Sequence, residues 1–168
     1  MNNKHGDSPA LRIPFHTLIA IFALIATASA PAYAVYNEPA DAAPAGDPDF
    51  DAAVSAIKTA HWHTAIGHLE RTVIRHPRSA DVHNLLGFSY RKTGNLDRSF
   101  RHYHQALELD PDHRGAHEYI GEAWLMRGDV ARAREHLREL LRLCRAECEE
   151  YRDLDRAIAD FEHAPRRR

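Results

Sequence analysis

Two stretches decide the fold: His83-Asn84-Leu85-Leu86-Gly87-Phe88-Ser89-Tyr90 and His117-Glu118-Tyr119-Ile120-Gly121-Glu122-Ala123-Trp124. They stand 34 residues apart and share histidine first, an aliphatic residue fourth, glycine fifth and a large aromatic eighth. The register extends outward from them. Gly94 falls on Gly128, Asn95 on Asp129, Leu96 on Val130 and Tyr103 on Leu137. Backwards, Pro111 falls on Pro77, Tyr103 on Leu69, Ser99 on Ala65 and Lys92 on Lys58. A period of that length marks a stacked array whose units cannot bury their apolar faces alone.

Each unit reads as two helices. Ser79 caps a helix over 80–92, and Gly94 supplies its left-handed stop. Asn95 caps a second helix over 96–109, which Asp110-Pro111 ends. In the next unit Asp112 opens a helix over 113–126, Gly128 stops it, and Asp129 opens one over 130–143. The first unit gives 49–59 and 62–76. Apolar residues recur at helical spacing, as in Leu96, Phe100, Tyr103 and Leu107, and no stretch alternates as a strand does.

These residues resemble the tetratricopeptide repeat family, whose pattern is W-x2-L-G-x2-Y, then A-x3-F, then P. The second unit reads His83-x2-Leu86-Gly87-x2-Tyr90, Ser99-x3-Tyr103, Pro111. The third reads His117-x2-Ile120-Gly121-x2-Trp124, Ala133-x3-Leu137, with Arg145 at the proline position. The first carries Ala52 and Ala53 at the Leu-Gly positions and recovers at Ala65-x3-Leu69 and Pro77. The resemblance implies an all-α fold: a right-handed superhelical stack of three helix-turn-helix repeats, about 46–79, 80–113 and 114–147. Residues 148–163 supply a capping helix with Tyr151, Leu154, Ile158 and Phe161 as its apolar stripe. Residues 164–168, ending Arg166-Arg167-Arg168, read as a frayed basic tail. More narrowly, Gly115–Glu122 and the run from Leu143-Cys144 to Cys148 and Leu154 resemble small exported proteobacterial members of the family. That second resemblance implies location and architecture rather than mechanism.

The family resemblance also implies a concave groove lined by the first helix of each unit. Carried over residue by residue, it is lined by Asn84, Phe88, Arg91 and Lys92, then Glu118, Glu122, Leu125 and Met126, with Arg152 and Arg156 from the capping helix. Such a mixed wall suits an extended or helical segment of a protein or peptide ligand. Phe88 and Tyr119 stand where the family's carboxylate clamp places polar residues, so that ligand is not transferred.

The chain's 168 residues, 27% charged, fit one compact domain. A formal charge of −2 argues against a dedicated nucleic-acid binder. Lys4 and Arg12 precede an uncharged stretch over 13–37, and small residues crowd 27–34. This is the layout of a secretory signal peptide over residues 1–34, cut after Ala32-Tyr33-Ala34. The other reading is an uncleaved anchor helix, the one case in which a membrane is a partner. Either way the repeats are placed outside the cytoplasm, periplasmic or secreted. Loss of Lys4, Arg12 and Asp7 with the signal takes the charge from −2 to −3. Residues 35–47, rich in alanine, proline and acid, read as a disordered lead-in.

Cys144 ends the last repeat helix and Cys148 begins the capping helix. Within one helix such a pair would point in parallel, but across a turn the geometry closes. In an oxidising compartment the pair reads as a disulfide taking proline's place as the constraint on the turn. The rival readings are two free thiols and a redox pair, although the latter usually shows a Cys-x-x-Cys.

The 13 histidines invite a metal reading. His61 and His63 flank a turn, and His113 and His117 share a helix face, so these four are the weak candidates. His83 and His117 sit at the pattern's aromatic position and are expected to pack. No Gly-x-Ser-x-Gly, phosphate loop or His-Glu-x-x-His occurs, so no enzyme and no cofactor are expected. The reading is therefore an exported, non-enzymatic adaptor for a protein or peptide segment, with a monomer favoured and the oligomeric state left open. The alternatives are a periplasmic zinc- or copper-handling protein and an envelope-complex subunit tethered by its N-terminus.

Overall fold

A computed structural model of the chain describes Asp41 and residues 44–164. Those residues form seven helices and no strand: α1 Pro48–Lys58, α2 Trp62–Arg75, α3 Ala80–Lys92, α4 Leu96–Leu109, α5 Arg114–Met126, α6 Val130–Cys144 and α7 Glu149–His163. The expected signal peptide, residues 35–40, 42 and 43 of the lead-in, and residues 165–168 of the tail lie outside the described residues.

The repeat register sets the helix ends. Ser79, Asn95 and Asp129 each accept a hydrogen bond from the backbone N–H three residues on, at Val82, Arg98 and Arg132. Asp112 does not cap α5, as the sequence suggested. His113 does, its Nδ1 accepting from Ala116 N at 3.1 Å. The Asp110 carboxylate accepts from Asp112 N at 3.1 Å and closes a turn around Pro111, which delays the helix by one residue. Asp112 instead pairs with Arg142 at 2.6 Å. Between the two helices of each unit the chain takes a left-handed residue at one register position. Gly94 and Gly128 hold it at φ 80°, whereas the first unit holds Ala60 there at φ 59°. The α6–α7 turn uses Arg145 and Ala146 at φ 50° and 63°.

The described part of the lead-in, Asp41 and residues 44–47, is fastened to the repeats. The Asp41 amide donates to Arg78 O at 3.0 Å. Asp47 accepts from the N–H groups of Asp49 and Phe50 at the start of α1, and Arg75 and His76 reach its carboxylate from the end of α2. Its hydrogen bond to Arg75 holds the carboxyl well below the usual range. A segment with almost nothing large to bury is thus held by polar contacts, above all those of the Asp47 carboxylate.

Helices α3, α5 and α7 pack on one another in sequence, while α2, α4 and α6 make no comparable contact among themselves. One layer is therefore close-set and the other splayed, so the stack curves toward the α3–α5–α7 side. Packing between the layers and within the close-set one depends on two glycines. A Cβ at Gly87 would stand 2.5 Å from the fully buried Tyr103 ring, and one at Gly121 would stand 2.6 Å from Leu154 Cδ2. Gly87 thus meets its own unit's second helix. In the third unit the smaller Leu137 replaces Tyr103, and α7 presses Leu154 into the space. Leu154 and Ile158 join Leu125, Ala133 and Leu140 in the core that α7 closes. Among the described residues no helix is long and apolar enough to cross a membrane.

Candidate peptide-binding groove

The wall built by α3, α5 and α7 changes character along the stack. At the α3 end Phe88 is half-buried between two rings, Trp62 at 5.6 Å edge-on and Tyr119 at 4.8 Å. Lys92 Nζ lies 5.2 Å from the Phe88 ring centre and 6.0 Å from that of Trp62. The Arg91 guanidinium stands over Phe88 and Tyr119. Aromatic faces and cations attract through the ring quadrupole, so this end is a cationic aromatic strip. Burial pushes the Tyr119 hydroxyl up to about 12, so it stays a neutral donor.

Arg91 marks the change. It is buried, pairs with Glu122 at 2.5 Å and donates from Nε to Tyr103 Oη at 3.4 Å. Beyond it the wall is acidic. Glu118 is 9% exposed, and the charges acting on its carboxylate are Glu122, Asp153, Glu150 and Arg91, in falling order. Burial first, then the three acids, push it up to about 8. Asn84 is 6% exposed, and its Oδ1 has no hydrogen-bond partner among the described residues.

Not every residue inferred for the groove lies at its surface. Leu125 is a core residue, 7% exposed among Leu140, Leu154 and Ile158, because α7 covers the end of α5. Met126 is 54% exposed. On α7, Arg152 donates to Glu147 O at 2.7 Å and Arg156 pairs with Asp153 at 3.2 Å. The α7 side chains coupled to Glu118 are Glu150 and Asp153, which the residue-by-residue transfer passed over. Trp62 was passed over too, because it starts a second helix rather than a first. A signal for Glu150 and Asp153 existed in the register: they stand at the positions that Ala116 and Tyr119 hold in the preceding unit.

The histidines are organised by the repeat. His83 Nε2 donates to Pro77 O at 3.1 Å, and its Nδ1 faces His102 Nδ1 at 3.1 Å. One repeat later His117 Nε2 donates to Pro111 O at 2.9 Å, and its Nδ1 faces His136 Nδ1 at 3.0 Å. A carbonyl only accepts, which fixes the proton of each first-helix histidine on Nε2. Its Nδ1 then accepts from the Nδ1–H of the second-helix partner. Burial, then the partner histidine, lower His102 and His136 to about 4. The second-helix histidine thus recurs one repeat apart, at 102 and 136. The metal candidates do not converge: His61 Nδ1 meets Thr59 Oγ1, His63 is exposed, and His113 and His117 are each held by different partners. Among the described residues no group of three or more His, Cys, Asp or Glu is placed to hold a metal ion. Cys144 and Cys148 bracket the α6–α7 turn with their sulfurs 2.07 Å apart, a bonding distance, and their Cα atoms 5.7 Å apart.

Paired helices stacked with a curved inner wall define a helical-repeat scaffold. The tetratricopeptide repeat family model matches residues 50–100 and 89–147, and the chain belongs to that family. The family is typically a non-catalytic protein-interaction fold. No curated protein matches the chain.

Proposed function

We propose that the protein is an exported adaptor that holds a protein or peptide segment in the groove walled by α3, α5 and α7, with no catalysis of its own. The observation that carries this reading is the strip of Trp62, Phe88 and Tyr119 with Lys92 beside it. Half-buried aromatics on a rigid helical wall lose little entropy when a ligand covers them, which is why such residues dominate binding energy at interfaces. The N-terminal layout of Lys4, Arg12, the apolar stretch and Ala32-Tyr33-Ala34 supports export. A mature chain beginning at Val35 is the expected result of N-terminal sequencing, and one beginning at Met1 favours the tethered form.

The test is crosslinking in the cell envelope followed by mass spectrometry, on the wild type and on Phe88→Ala with Met126→Ala. Both side chains are partly or largely accessible, so the double variant is expected to fold and to lose its crosslinked partners. The same partners recovered with the double variant contradict the reading.

A further inference from the structure

The acidic half of the groove holds a carboxylate, Glu118, that is mostly buried, only 9% exposed, and has no paired cation or donor among the described residues. Asn84 Oδ1 is in the same position on α3. The Asn84 amide nitrogen faces α5 one turn before Glu118. A Cβ on Gly115 would stand 3.3 Å from Asn84 Nδ2, and Gly115 precedes Glu118 by one helical turn on the same face. A mostly buried carboxylate without a paired cation costs free energy that a matching ligand group recovers.

The nearby cations do not fill that role. Arg91 is committed to Glu122 and Tyr103. Arg114 reaches Glu150 only at 3.7 Å, and Arg156 pairs with Asp153, both side chains more than half exposed. Pairs of that kind contribute little in water.

We propose that this stretch of wall is the receptor for an arginine or lysine side chain of the partner, bound by the carboxylates of Glu118, Glu122, Glu150 and Asp153. The proposal rests on the groove reading above and specifies its ligand: a basic segment, with its apolar residues toward Phe88 and its cation toward α7. A guanidinium offers five donors and an ammonium three, and either supplies both charge and hydrogen bonds to these carboxylates. An acidic segment would face four carboxylates there.

The groups facing Glu118 are Glu122 on its own helix, Glu150 and Asp153 on α7, and Arg91 on α3. In the free protein Glu118 holds its proton up to about 8, and a bound cation favours the ionised form. Affinity for a basic ligand therefore rises with pH through neutrality.

The experiment is selection of random peptides displayed on phage against the immobilised full chain. One selected peptide is then synthesised with a fluorophore and its affinity measured by anisotropy. Selected sequences are expected to be rich in arginine or lysine. Replacing the key basic residue by alanine, or using Glu118→Gln, is expected to weaken binding by about tenfold or more near pH 8. Glu118→Gln also flattens the rise of affinity with pH. Asp153→Asn, on a different helix, gives a smaller loss and serves if the first variant misfolds by circular dichroism. Peptides that bind with no dependence on a basic residue or on Glu118 overturn this proposal and leave the groove reading standing. If no peptide is selected, both fall.

Discussion

Gly87→Ala is the sharpest perturbation of the repeat geometry. Alanine is the better helix former, so on propensity alone the change stabilises by about 0.5–1 kcal/mol. At Gly67, on α2, nothing approaches a new Cβ closer than Arg71 Nη1 at 4.0 Å. Gly67→Ala should therefore keep that gain. At Gly87 the Cβ meets the Tyr103 ring at 2.5 and 2.6 Å, and this ring is fully buried between α3, α4 and α5. Overpacking of that kind costs about 1–3 kcal/mol, which exceeds the propensity gain. Gly121→Ala falls between the two, because Leu154 can change rotamer where a tyrosine ring cannot. Urea unfolding followed by circular dichroism orders the set: Gly67→Ala above wild type, Gly121→Ala near or somewhat below it, Gly87→Ala lowest. In melting temperature the first and last differ by several degrees, at about 4 °C per kcal/mol for a domain of this size. A Gly87→Ala protein as stable as Gly67→Ala refutes the claim that Gly87 sits at the closest approach of α3 and α4.

Three further outcomes are expected. Ala60→Gly should stabilise by about 0.5–1 kcal/mol in the same unfolding assay, because it restores the left-handed turn residue that Gly94 and Gly128 provide in the other units. The pH profile of stability should carry two opposite contributions. Glu118, raised in the fold to about 8, binds a proton there more readily than in the unfolded chain, so stability falls as pH rises toward 8. His102 and His136, lowered to about 4, stay neutral in the fold while unfolded histidines charge below about 6.5, so stability also falls as pH drops through that window. Glu118→Gln should remove the first slope, and the double change His102→Gln with His136→Gln should shrink the second. Mass spectrometry without reduction should find no free-thiol adduct at Cys144 or Cys148, and reduction should cost at most about 2 kcal/mol, given so short a loop.

Seven helices and their ends were legible because glycine, asparagine, aspartate and proline recur at fixed places in each repeat. These residues act through local backbone chemistry, which sequence displays directly. Where local chemistry competes with itself, the reading slipped: Asp112 looked like a cap, but Asp110 had already closed the turn that excludes it. The groove was legible only in part. Phe88, Arg91 and Glu122 were named from register, and the structure puts them on one wall. Leu125 was misplaced because its exposure depends on how far α7 reaches over α5. Trp62 was missed because no repeat pattern assigns the first residue of a second helix to the inner wall. The charge reversal between the α3 end and the α7 end arises because α7 packs on α5 and adds the charges of Glu150 and Asp153 to those of Glu118 and Glu122. That is a tertiary contact without a local signature.

The central claim is that the partner lies in the groove, and the chain carries its own reporter for it. There are two methionines, Met1 and Met126. Met126 stands exposed at the end of α5, on the register position that Lys92 holds beside Phe88. A spectrum of the protein labelled with carbon-13 at the methionine methyls thus contains at most two signals. Titration with a selected peptide should move the Met126 signal and leave Met1, where it is retained, unmoved. A peptide that binds by anisotropy while the Met126 methyl stays in place contradicts the account.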